Sequence, residues 1–161
     1  MSKQLEVIPE KCTGCIQCEL ACSWVQTGTF QPARSLIRVH LFDDQASYAP
    51  YACFQCDEAW CMNACPVGAI QISPSDAKAV VDDLCVGCSL CVIACPYGTI
   101  WYDAGWNRAT KCDLCAGDPA CVAACPTGAL EYTEAQPTDW LGSWAADLER
   151  TRAGIDAGEP S

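Results

Sequence analysis

The residues of this chain that can do chemistry are its cysteines: 16 of 161 residues are Cys, and they fall into four groups of four with none left over. Cys12, Cys15, Cys18 and Cys22 are spaced C-x2-C-x2-C-x3-C, and Cys53, Cys56, Cys61 and Cys65 are spaced C-x2-C-x4-C-x3-C-P. Cys85, Cys88, Cys91 and Cys95 repeat the first spacing with a Pro after it, and Cys112, Cys115, Cys121 and Cys125 run C-x2-C-x5-C-x3-C-P. Thiolates are soft ligands, so such groups suit a soft metal or, in an oxidising compartment, a disulfide framework. The first residues contain no apolar stretch and no twin arginine, so no export signal is read. The default compartment is then the reducing cytoplasm, which favours metal ligands over disulfides. Zinc also accepts four thiolates, usually from two separated C-x2-C pairs and not from four-Cys runs ending in Cys-Pro.

The spacing points to iron–sulfur clusters. The first and third runs carry the bacterial ferredoxin pattern, and the other two are that pattern with a short insertion before the third Cys. Two-residue gaps let three thiolates of one tight loop reach three irons of a cubane. The three-residue gap then carries the chain through about one helical turn and aims the fourth thiolate at a neighbouring cluster. Four complete runs predict four [4Fe–4S] clusters in two pairs, with Cys at every ligand position.

Those runs need elements to hold them. Gly14 and Gly87, in C-x-G-C, permit positive φ and let backbone N–H groups approach the sulfurs. Ala21, Ala64, Ala94 and Ala124 precede the fourth cysteines, a position where helix propensity and close approach to a cluster both favour a small side chain. Pro66, Pro96 and Pro126 follow three of the runs and turn the chain away, whereas Ser23 follows the first, so its exit should differ. Alternating stretches predict strands over 5–8, 35–42, 69–72, 79–82, 99–102 and 129–132. Ile37, Val39 and Leu41 should face inward, with Arg38 and His40 outward. The odd–even order of spacings suggests a duplicated two-cluster unit, roughly 12–72 and 85–132. Farther on, Thr138 or Asp139 can cap a helix carrying Trp140, Leu141, Trp144 and Leu148 at helical spacing, with 154–161 as a tail. That helix, over 138–152, either packs on its own body or docks a partner.

Composition agrees that the clusters must be the core. Leu, Ile, Val and Phe make up less than a fifth of the chain, and 20 acids against 9 bases give a net charge of −11. Such chains ordinarily cannot bury enough apolar surface to fold. The acidic balance argues against nucleic acid, and the long uncharged stretch at 86–102 is too broken by Cys, Pro and Gly for a membrane span. No nucleophile triad, paired-carboxylate set, dinucleotide motif or P-loop stands out, so no catalytic residue is assigned and no substrate site is expected. Trp24, Trp60, Trp101 and Trp106 lie near the runs and should shield clusters from water.

Four such runs in one short chain resemble the four-cluster electron-transfer subunits of molybdenum and tungsten oxidoreductases, such as those of dimethyl-sulfoxide reductase, formate dehydrogenase and formate-hydrogenlyase type. The opening Lys11-Cys12-Thr13-Gly14-Cys15-Ile16-Gln17-Cys18-Glu19-Leu20-Ala21-Cys22-Ser23-Trp24, with Arg38 soon after, is similar to a compact subset. These are the small iron–sulfur subunits accompanying tungsten aldehyde oxidoreductases and related benzoyl-CoA-reductase complexes. The resemblance implies that the first run pairs with the fourth and the second with the third. One cluster would take Cys12, Cys15, Cys18 and Cys125, and its neighbour Cys112, Cys115, Cys121 and Cys22. The other pair would take Cys53, Cys56, Cys61 with Cys95, and Cys85, Cys88, Cys91 with Cys65.

The expected fold is therefore α+β: two interleaved bacterial-ferredoxin-like two-cluster modules with short strands and short helices around the clusters. Residues 1–133 would form the four-cluster domain, with an outer module from 1–35 and 105–133 and an inner module from 50–104. Residues 134–161 would supply the C-terminal helix and tail. The implied role is a relay of single electrons between a large tungsten- or molybdenum-pterin catalytic subunit and another redox partner, a flavin subunit or a ferredoxin. Self-association through the C-terminal helix is a further option. The rival readings are a free soluble polyferredoxin and a zinc-binding interaction module.

Overall fold

The cysteine runs set the length of what lies between them. A Cys-x3-Cys step spans one helical turn, and a Pro directly after it has no N–H with which to continue the helix. The computed structural model describes residues 3–42 and 47–134. Three of its helices are a turn or so long, α2 (Trp60–Asn63), α3 (Leu90–Ala94) and α4 (Ala120–Ala123), each lying over its run's last step. The helix of the first run, α1 (Gln17–Thr27), has 11 residues. With Ser23 in place of Pro it continues until Gly28, whose φ of 69° and N–H bond to the Trp24 carbonyl at 2.7 Å close it. This continuation is the different exit that Ser23 foretold. Ser23 is fully buried, its hydroxyl donating to the Leu20 carbonyl at 3.0 Å and accepting from the Gln31 N–H at 3.1 Å.

The strands are β1 (Lys3–Val7), β2 (Arg38–Phe42), β3 (Ser47–Tyr51), β4 (Ile70–Ile72), β5 (Lys78–Val80), β6 (Ile100–Asp103), β7 (Arg108–Lys111) and β8 (Leu130–Glu134). They pair antiparallel into two-stranded sheets: β1 with β8, β2 with β3, β4 with β5, and β6 with β7. The last three pairs are local hairpins. The β6–β7 turn is held by the Asp103 carboxylate, which accepts the Gly105 and Trp106 N–H groups at 2.8 and 3.1 Å. The β1–β8 pair is long-range, setting Val7 opposite Leu130, Leu5 opposite Tyr132 and Lys3 opposite Glu134. Short helices beside separate antiparallel strand pairs make this an α+β fold.

Each of the six expected strands is present to within a few residues, while β3 and β7 were not foreseen. β3 carries Pro50 and β7 reads Arg-Ala-Thr-Lys, neither of which alternates apolar with polar in the usual way. One orientation is corrected. Ile37 is 2% exposed and Val39 packs against the core, but Leu41 is 53% exposed, because β2 has by then run past the body it packs on. His40 is solvated, its ring edge-on to Tyr51 at 5.6 Å. The anticipated helix over 138–152 and the tail lie outside the described residues.

The interior is made largely of sulfur and small side chains. One core cluster joins Cys18, Cys22, Cys53, Cys112 and Cys121 to Leu36, Ile37, Leu114 and Leu130, and a smaller one joins Cys91 to Ile70, Ile100 and Ala109. Helix α1 packs on α4 and α2 on α3, so each core is bounded by the helices of two different runs. Among the described residues no helix is long and apolar enough to cross a membrane.

A core this poor in aliphatic burial should depend on what its thiols hold. Stripping iron with a chelator is expected to abolish the cooperative thermal transition, followed by circular dichroism, and to collapse amide dispersion. An iron-free chain that still unfolds cooperatively would show that the few aliphatics suffice.

Candidate metal centres

The loops between the first and second cysteines share one backbone feature. The residue before each second Cys is left-handed: Gly14 (φ 70°), Gln55 (53°), Gly87 (70°) and Leu114 (58°). A Cβ on Gly87 would sit 2.7 Å from the Asn107 carbonyl oxygen, and one on Gly14 would sit 2.6 Å from the Tyr48 ring. The odd runs therefore require glycine there. The even runs have room for a side chain: Leu114 fills the core, and Gln55 reaches across to the fourth run.

The chain brings cysteines of different runs together. One cavity is lined by Cys53, Cys56 and Cys61 of the second run with Cys95 of the third. Another is lined by Cys12, Cys15 and Cys18 of the first run with Cys125 of the fourth. Burial raises the pKa values of Cys18, Cys56, Cys61, Cys91, Cys112, Cys115 and Cys121, neighbouring thiols add to it, and the neighbours named by that repulsion follow the same crossing. Cys56 feels Cys53, Cys61 and Cys95; Cys91 feels Cys85 and Cys65; Cys115 and Cys121 both feel Cys22. Burial pushes Cys18 and Cys121 up to about 12 and Cys112 well above its ordinary value. Cys15 and Cys88 are exposed, Cys22, Cys53 and Cys91 are buried, and the remaining thiols lie between these extremes. Every one of the sixteen is free of disulfide.

The fourth cysteines of the last three runs behave differently. Desolvation raises Cys65, but the N–H groups of Ala69, Val67, Ile70 and Gly68 together outweigh it and leave the thiol below its usual value. Cys95 and Cys125 are lowered in the same way, against desolvation, by the Thr99 and Thr127 hydroxyls and nearby backbone N–H groups. The Ala69 and Ala129 N–H groups reach Cys65 and Cys125 Sγ at 3.2 and 3.3 Å, a contact set by the turn after Cys-Pro. The first run lacks that turn. Cys22 Sγ instead accepts the Leu36 N–H at 3.3 Å, brought from a distant segment.

Donor sets made wholly of sulfur, cavities ringed by four thiols and backbone N–H groups aimed at sulfur fit an iron–sulfur cluster. Among the described residues no three Cys, His, Asp or Glu side chains close around a single point as ligands of one ion would.

Four buried polar side chains escaped the sequence reading: Gln55, Lys78, Lys111 and Glu19. Gln55 Nε2 donates to the Cys112 carbonyl at 2.7 Å, and its Oε1 accepts the Lys78 N–H at 2.8 Å. Lys78 Nζ donates to the Gln55 carbonyl at 3.1 Å, and Lys111 Nζ to the carbonyls of Lys78 and Cys112. Both lysines line the cavity of Cys53, Cys56, Cys61 and Cys95, where the Lys111 ammonium opposes the burial that raises Cys61. Glu19 Oε1 accepts the Val39 N–H at 2.7 Å, tying α1 to β2. The available signals were Gln55 standing where two other runs have Gly, and Lys111 standing two residues from Ala109, on the same face of β7. Of the four tryptophans, Trp60 lines a thiol cavity and Trp101 packs on the larger core. Trp24 instead stacks on Phe30 at 4.8 Å with half its surface exposed, and Trp106 lies between Arg34 and Arg108.

Residues 9–28 match the family described as the 4Fe-4S binding domain, and residues 45–135 match the 4Fe-4S dicluster domain. Together these segments contain all sixteen cysteines. Over 84 residues the chain is 39% identical to the polyferredoxin-like subunit of an aliphatic sulfonate oxidoreductase from Pyrococcus furiosus, covering 51% of this chain and 47% of that one. It is 37% identical over 90 residues to hydrogenase-4 component A of Escherichia coli, covering 56% and 42%. It is 33% identical over 78 residues to a subunit of the tetrathionate reductase of Archaeoglobus fulgidus, covering 48% and 38%. The chain thus spans less than half the length of each of these relatives. Among solved structures, a chain of the BamBC active-site complex of benzoyl coenzyme A reductase is similar, with 25% identity, a TM-score of 0.49, and 94% and 90% of the two chains covered. With its second, third and fourth runs inside a single match that covers more than half of its length, the chain belongs to the 4Fe-4S dicluster domain family.

Proposed function

We propose that this chain is the electron-transfer subunit of an oxidoreductase, carrying single electrons through four [4Fe–4S] clusters between a tungsten- or molybdenum-pterin catalytic subunit, probed first as an aldehyde oxidoreductase, and a second redox partner in the cytoplasm. Each cluster supplies one-electron oxidation and reduction when bound. The chain's own work is to hold, space and insulate. The proposed ligand sets are Cys12, Cys15, Cys18 and Cys125; Cys112, Cys115, Cys121 and Cys22; Cys53, Cys56, Cys61 and Cys95; and Cys85, Cys88, Cys91 and Cys65. The observation that carries the reading is the crossing of runs in the two thiol-lined cavities. It favours two interleaved modules within residues 1–133 over two consecutive ones.

The order of the sites supports a relay. Cys121 feels the charge of Cys18, and Cys112 that of Cys53, so the run-one and run-four sites adjoin, and the run-four site adjoins the run-two site. The exposed thiols, Cys15 and Cys88, then fall at the two ends, with buried Cys112, Cys121 and Cys53 between them. Around Cys88, Leu84, Val86, Leu90 and Ile93 of the third run are exposed, Ile93 by 80%. An apolar rim beside an exposed ligand suits a docked partner more than brief diffusive encounters. The relatives named as subunits of larger oxidoreductases support the same assembly.

Iron and acid-labile sulfide analysis of anaerobically prepared protein should give about 16 of each per chain. A reproducible value near 8 Fe would remove two of the runs from the relay. The Cys22→Ala variant is expected to lose or alter the site of Cys112, Cys115 and Cys121, seen as one changed electron paramagnetic resonance signal, while the site of Cys12, Cys15 and Cys18 stays intact. Damage confined to the first run's own site would reject the crossed outer pairing. The tagged holoprotein should co-purify with a large subunit containing tungsten or molybdenum, and Ile93→Asp should weaken that association about tenfold without changing iron content. Recovery of the chain alone, fully loaded, would instead identify a free polyferredoxin.

A further inference from the structure

Lys78 and Lys111 are anomalous. Lysine is among the residues least often fully buried, because removing its ammonium from water is costly unless a negative charge lies close by. Here Lys111 is 4% exposed and Lys78 is 9% exposed. The salt bridges among the described residues belong to other bases: Lys11 with Glu131, Arg34 with Asp103 and Arg108 with Asp82. The two buried ammonium groups donate to backbone carbonyls of Gln55, Lys78 and Cys112, which satisfies their hydrogen bonds and leaves their charge uncompensated. The cavity they line is that of Cys53, Cys56, Cys61 and Cys95, whose sulfurs would carry the facing negative charge on ligating a cluster. Gln55 clamps the arrangement from the other side, joining Lys78 to the Cys112 backbone of the next run.

Resting on the four-cluster reading above, we infer that Lys78 and Lys111 are electrostatic tuning residues that make the site of Cys53, Cys56, Cys61 and Cys95 the highest-potential position in the relay. Net charge and solvent exposure set the potential of such a site, and fixed cations in a dry cavity favour its more negative, reduced state. The step is a single-electron exchange in which the site gains the electron that its neighbour loses. No bond is made or broken and no proton moves. The end of the relay at Cys88 is exposed and, among the described residues, contributes no buried lysine. An electron entering at either end would therefore rest in the middle before leaving.

The test is an anaerobic redox titration of the holoprotein followed by electron paramagnetic resonance. The transition changed in Cys56→Ser protein marks the site. In wild-type protein that transition is expected at the highest potential. In Lys111→Gln its equilibrium constant for reduction should fall at least tenfold, about 59 mV for one electron, with the other transitions unmoved. Lys78→Gln should shift it in the same direction, and Lys111→Arg should retain the wild-type value. Unchanged potential in a fully loaded Gln variant, or an equal shift of every transition, would overturn the assignment. So would loss of iron from both Gln variants and from Lys111→Arg, since the lysines would then serve folding. Fewer than four transitions in the wild type would count against the four-cluster reading alone, because the marked site still reports on the lysines.

Discussion

A thiol held near pKa 12 by burial, as at Cys18 and Cys121, becomes a ligand only against a compensating positive charge, and most of the architecture follows from that electrostatic requirement. Where a thiol is deep, the compensation must come from metal. Where it is shallower, as at Cys65, Cys95 and Cys125, the backbone supplies part of it through N–H groups turned toward sulfur after each Cys-Pro. The short helices, left-handed loop residues and paired strands all place donors around sulfur and leave little chain for anything else. The result is an interior in which sulfur and small side chains take much of the space that aliphatic packing fills in other domains.

What the sequence made legible was whatever is repeated. The runs, the Pro that ends three helices and the Ser23 that lets the first continue could all be read by comparing one run with another. Much less could be read where a run uses its own solution to a common problem. Gln55 occupies the left-handed place that Gly14 and Gly87 hold elsewhere, and its value lies in a side chain that reaches another run, which local pattern cannot reveal. Lys78 and Lys111 counted only among the nine bases, because a strand position assigns a face without saying what lies against it. Leu41 was misjudged for the opposite reason: its alternation was regular, but β2 outlasts the body beneath it. β3 and β7 exist because a neighbouring strand pairs with them, and their own residues declare little.

The two family matches divide the chain at a place where the structure does not. Residues 9–28 are matched apart from residues 45–135, yet α1 of the first packs on α4 of the second, and Cys22 accepts its hydrogen bond from Leu36 between them. The segment linking the two matches is therefore part of the support around sulfur. Glu19 adds a second tie there, reaching from α1 to the Val39 N–H of β2.

The pairing of β1 with β8 has a consequence for how the chain is made. Synthesis delivers β1 and the thiols of Cys12, Cys15 and Cys18 first, but the strand that pairs with β1 and the fourth cysteine lining their cavity come more than a hundred residues later. At a ribosomal pace of about 5–20 residues per second, those three thiols wait several seconds or more for Cys125. The second and third runs, whose cysteines line a cavity between them, can close while the first still stands open. Vectorial translation thus sets an inside-out order, in which the cavity shared by the second and third runs can close before the one shared by the first and fourth.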